Sequence, residues 1–247
     1  MAGIGEQGVA ADTTVNMAEH PRRAVSADTA GRRQAPAAKV ALPVLDRRAA
    51  LPLSPTDIAQ YIRLEQCQRY LRLRLHERAV DRHFMRDYGV TPQSIPPLLT
   101  RSGATFEEQI ERAVREHFPA LNFATETGRG QGWADDNARV VAEARALSPG
   151  ETLVLFQPRL EVELDGWRLR GDVDILRLER DRAGALQILI ADMKSSTSAK
   201  VEHRLQVAFY HEMLAHLFTE NDLAYAAMTM AVLYRGPADG DAGLSVE

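Results

Sequence analysis

Charged side chains interrupt two apolar, strand-like stretches in the C-terminal half of the chain. Asp172 and Asp174 stand two residues apart in RGDVDIL. The stretch LQILIADMK ends with Asp192 and Lys194, again two residues apart. Because side chains alternate between the two faces of a strand, each pair is predicted to point to one face. Carboxylates on neighbouring strands can hold Mg²⁺ or Mn²⁺, and a lysine beside them can orient a water molecule or offset phosphate charge. These residue types suit the hydrolysis of a phosphodiester, which needs a hard cation and an activated water.

The end of the second stretch allows two interpretations. Its apolar residues are predicted to be buried on both faces, so the charge of Asp192 needs a partner there. A metal ion would be one such partner. An ion pair of Asp192 with Lys194 that caps the strand at the surface would be another, and this strand alone does not decide between them.

A sheet and a helix must position these side chains. Patterns rich in Val, Ile and Leu, with turn signals at Asp165-Gly166 and Ala183-Gly184, predict a meander of three strands: TLVLFQPRLEVEL, WRLRGDVDILRLE and ALQILIADMK. A helix from about 199 to 218 and a final strand, AYAAMTMAVLYR, follow. The order of helix, strands, helix and strand predicts an α/β sandwich with a mixed central sheet flanked by helices.

A long helical segment is predicted before the sheet, with room for one break. It begins at Ser54, where Pro55 and Asp57 complete a helix-start signal. Its arginines could form a basic surface that holds phosphates, or a solvated face paired with nearby acids, as on most amphipathic helices. These arginines are Arg63, Arg69, Arg72, Arg74, Arg78, Arg82 and Arg86.

A second helix is predicted from about Thr105 to His117. Thr105 and Glu108 have the spacing of a capping box, which would give Glu108 a structural role at the start of this helix. Its neighbour Glu107 falls on the apolar face, one turn from Ile110, and a carboxylate in that position needs an explanation.

Bulk composition sets the limits of these interpretations. A chain of 247 residues with 45% hydrophobic composition can bury one good-sized core, and a net charge of -4 gives no global reason to bind nucleic acid. The only cysteine, Cys67, excludes a disulfide framework and a four-cysteine cluster within this chain. No apolar run could span a bilayer and no secretory signal is evident, so a soluble, cytoplasmic protein is expected.

The combined motifs resemble those of RecB-type nucleases in the PD-(D/E)xK superfamily. The motifs are Gly171-x-x-Asp174, Asp192-Met193-Lys194 and Gln206-x-x-x-Tyr210, in this order. The resemblance implies a restriction-endonuclease-like α/β sandwich with an N-terminal helical segment. It also implies that Asp174 and Asp192 bind Mg²⁺ or Mn²⁺ with the Met193 carbonyl, and that Lys194 is the catalytic lysine.

The resemblance assigns roles to three further residues. The stretch Gly103 to Glu107 is similar to the motif that brings a third metal-binding group from the preceding helix, so Glu107 is expected to share one cation with the two aspartates. Gln206 and Tyr210, one helical turn apart, are expected to position DNA or to support the site; the alternative is a polar edge on a core helix.

The resemblance extends from about Leu53 to Arg235. It predicts a nuclease domain over 51–236, between a disordered tail or linker, 1–50, and a linker-like end, 237–247. In some RecB-like and CRISPR-associated nucleases, a cysteine placed like Cys67 joins three later ones around an iron–sulfur cluster. Those later cysteines are missing here, so no such cluster is expected within this chain.

The expected function is a Mg²⁺- or Mn²⁺-dependent DNA nuclease, an exonuclease or single-strand nuclease in DNA repair or defence against foreign DNA. The expected partners are single-stranded DNA or duplex ends, with a helicase or second nuclease domain in this or another chain. Two alternatives are a catalytically inactive DNA-binding or scaffold module of the same fold, and a nuclease directed at RNA.

Overall fold

The structure is a computed structural model, and it describes residues 50–80, 86, 97–125, 132–198, 200–235 and 244–246. All of these lie in one unit of the chain, Pro43–Glu247. The predicted tail, 1–50, falls outside the described residues except for Ala50, and so does most of the predicted C-terminal linker.

This unit contains both helices and strands, with a run of three helices near its start and a run of five strands in its second half. The helices of the described part are α1 (Pro55–Arg63), α2 (Gln68–Val80), α3 (Pro97–Arg115), α4 (Trp133–Ala146) and α5 (Val201–Glu220). The strands are β1 (Leu51–Leu53), β2 (Ala120–Asn122), β3 (Thr152–Phe156), β4 (Arg159–Leu164), β5 (Trp167–Asp172), β6 (Ile175–Arg180), β7 (Leu186–Lys194), β8 (Ala227–Arg235) and β9 (Leu244–Val246).

The strands form two sheets. The larger has the order β2-β3-β6-β7-β8-β9, and the smaller has the order β1-β5-β4. Both are mixed, because β7 and β8 pair in parallel, as do β1 and β5, whereas β6 and β7 are antiparallel. The predicted restriction-endonuclease-like α/β architecture is confirmed, with a second, small sheet that the sequence did not predict.

The predicted three-stranded meander is wrong, because each of its first two stretches contains two strands. Gln157 adopts a φ of 52° between β3 and β4, and Pro158 follows it, so the chain turns out of the large sheet there. Val173 and Asp174 separate β5 from β6 in the same way. The β4–β5 hairpin therefore belongs to the small sheet. Asp172 is the last residue of β5 and Asp174 lies in the loop that follows it. The prediction that the two share one strand face therefore does not apply.

The large sheet is packed on both faces. On one face, α5 contributes Met213, Leu214 and Phe218 to a core that also contains Leu176 and Ile190. On the other face, α3 packs with Phe106 and Ile110, and this second cluster includes Phe156, Ile175, Ala191 and Met193. By alternation, Asp192 and Lys194 lie on the α5 side of β7, whereas Met193 lies on the α3 side.

The start of α1 follows the predicted signal. The Ser54 backbone N–H donates to Asp57 Oδ2 at 2.9 Å, and the Asp57 N–H donates back to Ser54 Oγ at 3.4 Å, which completes a capping box. The predicted break lies at 64–67, where Glu65 and Gln66 have positive φ angles of 53° and 60°.

The start predicted for the second helix is wrong. Helix α3 begins at Pro97, since proline suits the first turn of a helix, and Thr105 lies in its interior. The Thr105 hydroxyl donates to the Arg101 carbonyl at 3.0 Å, so Thr105 and Glu108 form no capping box. Helix α5 begins and ends two residues later than predicted, and the prediction of a final strand is confirmed by β8.

Three of the arginines on α1 and α2, Arg63, Arg74 and Arg78, are paired with acids. Arg74 lies 3.4 Å from Asp57 and 3.2 Å from Glu77, and Arg63 lies 3.7 Å from Glu202 on α5. This arrangement favours the solvated, paired face over a free basic surface. None of the helices in the described part of the chain has the length and apolar character that crossing a bilayer requires.

Candidate active site

Asp192 lies near the C-terminal end of β7, fully shielded from solvent with a side-chain exposure of 0%. Lys194 Nζ donates to its Oδ1 at 2.8 Å, which confirms that the two side chains share one face. Nζ also lies 2.7 Å from Oδ2. Yet within the described part of the chain, this buried Oδ2 accepts no hydrogen bond. Among the described residues, the Lys194 ammonium group is thus the one cation that compensates this buried carboxylate.

Asp174 approaches the same strand end from the loop between β5 and β6. Its Oδ2 accepts a hydrogen bond from the backbone N–H of Met193 at 2.7 Å, which holds this carboxyl group beside residue 192. Burial raises the pKa of Asp192, the negative charge of Asp174 raises it further, and Lys194 only partly opposes them. Two acids share the site with one ammonium group, and a cation would relieve the repulsion between them.

Glu107 reaches the site from α3. Its pKa is raised mainly by partial burial and then by Asp174, while Lys194 lowers it, so its carboxyl group lies within electrostatic reach of both. Among the described residues, however, no three acidic, histidine or cysteine side chains lie close enough to hold one ion together. Asp174 and Asp192 meet at the end of β7, and Glu107 lies near them without completing a group of three, so a cation shared by all three carboxylates stays a prediction.

Tyr210 joins α5 to the loop that carries Asp174. Its hydroxyl donates to the Asp172 carbonyl at 2.5 Å, and Gln206 Nε2 lies 3.4 Å from the same hydroxyl. Burial and the charge of Asp174 raise the pKa of Tyr210, so the hydroxyl keeps its proton and remains a donor. These contacts fit a supporting role for Gln206 and Tyr210 within the fold, while a role in positioning DNA stays a prediction.

Gly171 explains how Tyr210 can come so close. A Cβ atom on Gly171 would lie 2.6 Å from Tyr210 Cε1 and 3.1 Å from the Pro55 ring, so only glycine fits between α1 and α5 here. This contact gives the glycine of the Gly171-x-x-Asp174 motif a steric reason.

The start of α5 contains two residues that sequence reasoning missed. His203 is only 7% exposed, and its Nδ1 accepts a hydrogen bond from the Lys200 backbone N–H at 3.3 Å. Lys200 is the N-cap residue and provides no side-chain cap. The available signal in the sequence was a lysine at a helix start, where Ser, Thr, Asp or Asn is usual.

The comparison with known families now decides the relationship. The family model described as the PD-(D/E)XK nuclease superfamily matches residues 52–244. The chain belongs to the PD-(D/E)XK nuclease superfamily. Members of this superfamily are nucleases, and in this chain the matched region contains Asp174, Asp192 and Lys194. The resemblance first seen in separate motifs is confirmed over most of the chain.

The other comparisons add little. No curated protein matches this chain. Among solved structures, the Legionella pneumophila effector protein RavZ is similar over 47% of this chain, with 11% sequence identity and a TM-score of 0.26. The matching region spans a third of that protein's length, 33%, and a likeness this small carries no argument about fold or function.

Proposed function

We propose that this PD-(D/E)XK nuclease is a Mg²⁺- or Mn²⁺-dependent deoxyribonuclease that hydrolyses phosphodiester bonds in single strands or at DNA ends. The observation that carries the proposal is that two acids, the buried Asp192 and its neighbour Asp174, meet at the end of β7 beside a single ammonium group, that of Lys194. One ammonium group does not balance two carboxylates at a partly buried site, and a second cation would.

The residues present fit a hard divalent cation. Carboxylate oxygens are the ligands that Mg²⁺ and Mn²⁺ prefer, and Mg²⁺ is commonly bound by only one or two carboxylates together with water and substrate phosphates. Asp174 and Asp192 would hold the ion, with the Met193 carbonyl and Glu107 as further candidates. When bound, the ion would neutralise charge on the phosphate and favour an attacking hydroxide at neutral pH.

Lys194 would face the phosphate. Its side chain is 24% exposed while that of Asp192 is fully buried, so the lysine would lie between the acid and the solvent side from which a substrate arrives. Held by Asp192 through a 2.8 Å hydrogen bond, it is positioned to offset charge on a phosphate oxygen or to orient the attacking water. Gln206 and Tyr210 would keep the Asp174 loop in place.

The direct test uses end-labelled oligonucleotides. Single-stranded DNA, duplex DNA and RNA are incubated with the purified protein in Mg²⁺, in Mn²⁺ or in EDTA. Cleavage of DNA that needs free metal and is lost in Lys194→Ala supports the proposal. The pattern of labelled products separates release from an end from internal cutting.

The same experiment covers the two alternatives. DNA that is bound but never cut in any metal would mean a scaffold module of this fold. Cutting restricted to RNA would mean an RNA-directed nuclease. A role in DNA repair or defence, with a helicase or second nuclease domain as partner, is part of the proposal and is supported by the RecB-like order of the motifs.

A further inference from the structure

Arg235 ends β8 beside the C-terminal end of β7. The two strands pair in parallel with Lys194 opposite Tyr234, so Arg235 directly follows the residue that lies next to the lysine. The Arg235 backbone N–H donates to the Ser196 carbonyl at 3.0 Å, which ties this arginine to the segment that leaves Lys194. Arg235 therefore belongs to the same edge of the large sheet as the candidate active site.

The Arg235 side chain lies on the other face of this edge from Lys194. Neighbours across two strands share a face and successive side chains alternate, so Tyr234 lies on the α5 side with Lys194 and Arg235 lies on the α3 side. A contact with α3 agrees, because the Arg235 guanidinium carbon lies 5.5 Å from the centre of the Phe106 ring. Phe106 directly precedes Glu107 in α3. One cation thus stands on each side of the sheet edge where the acids lie.

Arg235 differs from the other arginines that the structure describes over a phenylalanine ring. Each of those also forms an ion pair with a glutamate. The pairs are Arg115 with Glu111, Arg139 with Glu143 and Arg177 with Glu179. Arg235 has no ion pair with any described acid, and its guanidinium group only approaches Ser102, with Nη1 3.4 Å from the hydroxyl oxygen and Nη2 3.5 Å from the carbonyl oxygen. Its charge is therefore not compensated in the way that theirs is.

Most of the hydrogen-bonding capacity of this guanidinium group is thus unused. The group has five N–H donors in a flat fork, and its two contacts with Ser102 are at the long limit of a hydrogen bond. The Phe106 ring supports the group from one side without neutralising its charge. A supported, positively charged fork with donors left over is suited to a phosphate, which accepts two parallel hydrogen bonds from arginine.

We propose that Arg235 binds the DNA phosphate next to the bond that is cut. The inference rests on the proposed nuclease function for the identity of the substrate. The acids of the site repel an approaching strand, and Arg235 supplies a positive charge on the α3 side, opposite Lys194. Arg235 is not among the charges that change the pKa of Glu107 or of Asp192. It therefore belongs to the path of the strand and not to the group of metal-binding carboxylates.

The salt dependence of binding in EDTA tests the charge. Arg235→Gln is expected to lower the affinity for a DNA single strand of about 12 nucleotides about tenfold, and to make the slope of log K against log salt less steep by about 0.7. Arg235→Lys keeps the slope and loses about two- to threefold in affinity, because an ammonium group cannot form the two parallel hydrogen bonds.

The matched control is Arg182→Gln. Arg182 is exposed in the turn between β6 and β7, at the opposite end of β7 from Lys194, and its replacement makes the same change in net charge. This control is expected to keep the affinity and the salt slope of the wild type. Equal losses in Arg182→Gln and Arg235→Gln, or no loss in either, would overturn the phosphate site.

Neutral linkages in the strand locate the phosphate. A set of strands, each with one uncharged methylphosphonate linkage in place of a phosphodiester, is bound to the wild type and to Arg235→Gln. One linkage, next to the bond that is cut, is expected to weaken binding to the wild type and to leave binding to Arg235→Gln unchanged, because that phosphate has already lost its partner. The same losses in both proteins at every linkage would mean that Arg235 only holds β8 to α3, and would contradict the proposal.

Steady-state cleavage separates this inference from the nuclease proposal. Arg235→Gln is expected to raise KM about tenfold with a smaller effect on kcat, and Mn²⁺ still raises its unfolding midpoint as in the wild type. If the wild type cuts DNA and Arg235→Gln changes neither KM nor affinity, the phosphate site alone fails. If the wild type binds DNA through Arg235 but cuts it in no metal, the nuclease proposal alone fails. A wild type that neither binds nor cuts DNA would overturn both.

Discussion

Asp57 and Asp192 are both removed from solvent, with side-chain exposures of 1% and 0%, but their surroundings differ. Asp57 accepts hydrogen bonds from the backbone N–H and hydroxyl of Ser54 and faces the guanidinium groups of Arg74 and Arg78. Asp192 faces one ammonium group and has an oxygen with no hydrogen bond in the described part of the chain.

The difference teaches how to separate structural acids from functional ones. The charge of Asp57 is satisfied by groups of its own chain, and it holds α1 and α2 together. The charge of Asp192 is compensated only in part by Lys194, and the neighbouring carboxylate of Asp174 repels it. Burial is equal in the two cases, so compensation and not burial marks the site that needs a ligand.

The largest effect is expected for Asp192→Asn. Cleavage is expected to fall about a thousandfold or more, because the ion contributes several kcal/mol of charge stabilisation. In EDTA the unfolding midpoint stays the same or rises, since the amide keeps the volume and removes a buried charge beside Asp174. Adding Mn²⁺ raises the midpoint of the wild type and not of the variant. A variant that is both active and stabilised by Mn²⁺ would exclude Asp192 as a ligand.

The opposite pattern is expected for Asp57→Asn. Loss of the charge between Arg74 and Arg78, together with a weaker capping box, is expected to lower the free energy of unfolding by about 1–3 kcal/mol. Cleavage per folded molecule changes by about twofold at most, because the two aspartates do not share partners. Chemical denaturation and single-turnover kinetics measure the two quantities. Equal losses of activity in both aspartate variants would remove the contrast between them.

A smaller effect on both quantities is expected for Gly171→Ala. The new methyl group would lie 2.6 Å from Tyr210 Cε1, so either the Tyr210 ring or the Pro55 ring must move. We expect a loss of about 1–3 kcal/mol in stability and a tenfold to hundredfold decrease in kcat from displacement of the Asp174 loop.

The control for this variant is Gly132→Ala, where a Cβ would meet nothing within 4 Å. Because Gly132 is the N-cap of α4, alanine there is expected to lower the stability by about 1 kcal/mol at most and to leave kcat unchanged. If Gly171→Ala behaves like this control, Tyr210 has no part in holding the site.

Features with a local cause could be predicted from the sequence. Alternation along β7 placed Asp192 and Lys194 on one face, and the signal at Ser54 placed the start of α1. The residue order of the motifs was sufficient for the family, which the family model over residues 52–244 confirms.

Features that depend on distant partners could not be predicted. Leu51–Leu53 is too short to be recognised as a strand, and it exists because it pairs with Trp167–Leu169. The stretch through Gln157 was predicted as one strand although Pro158 indicates a break there, and nothing in its composition shows that β4 joins a second sheet. The position of Glu107 depends on how α3 packs across the sheet, and helical periodicity alone could not tell whether it reaches Asp192.

The smallest effect on stability is expected for Asp181, an acid that differs from both Asp57 and Asp192. Asp181 lies at the exposed turn between β6 and β7, where its Oδ1 accepts from the Ala185 N–H at 2.8 Å and from the Ala183 N–H at 2.9 Å. Chiefly the Ala185 bond lowers its pKa. A lowered folded-state pKa means that this acid stabilises the fold above its unfolded pKa, and that the contribution is lost as the pH falls through the folded value. The stability difference between wild type and Asp181→Asn, measured by denaturation from pH 7 to pH 2, should therefore shrink toward acid. A difference that grows toward acid would show that the turn does not favour the charged form, and that hydrogen bonding by the backbone is not what distinguishes satisfied acids from Asp192.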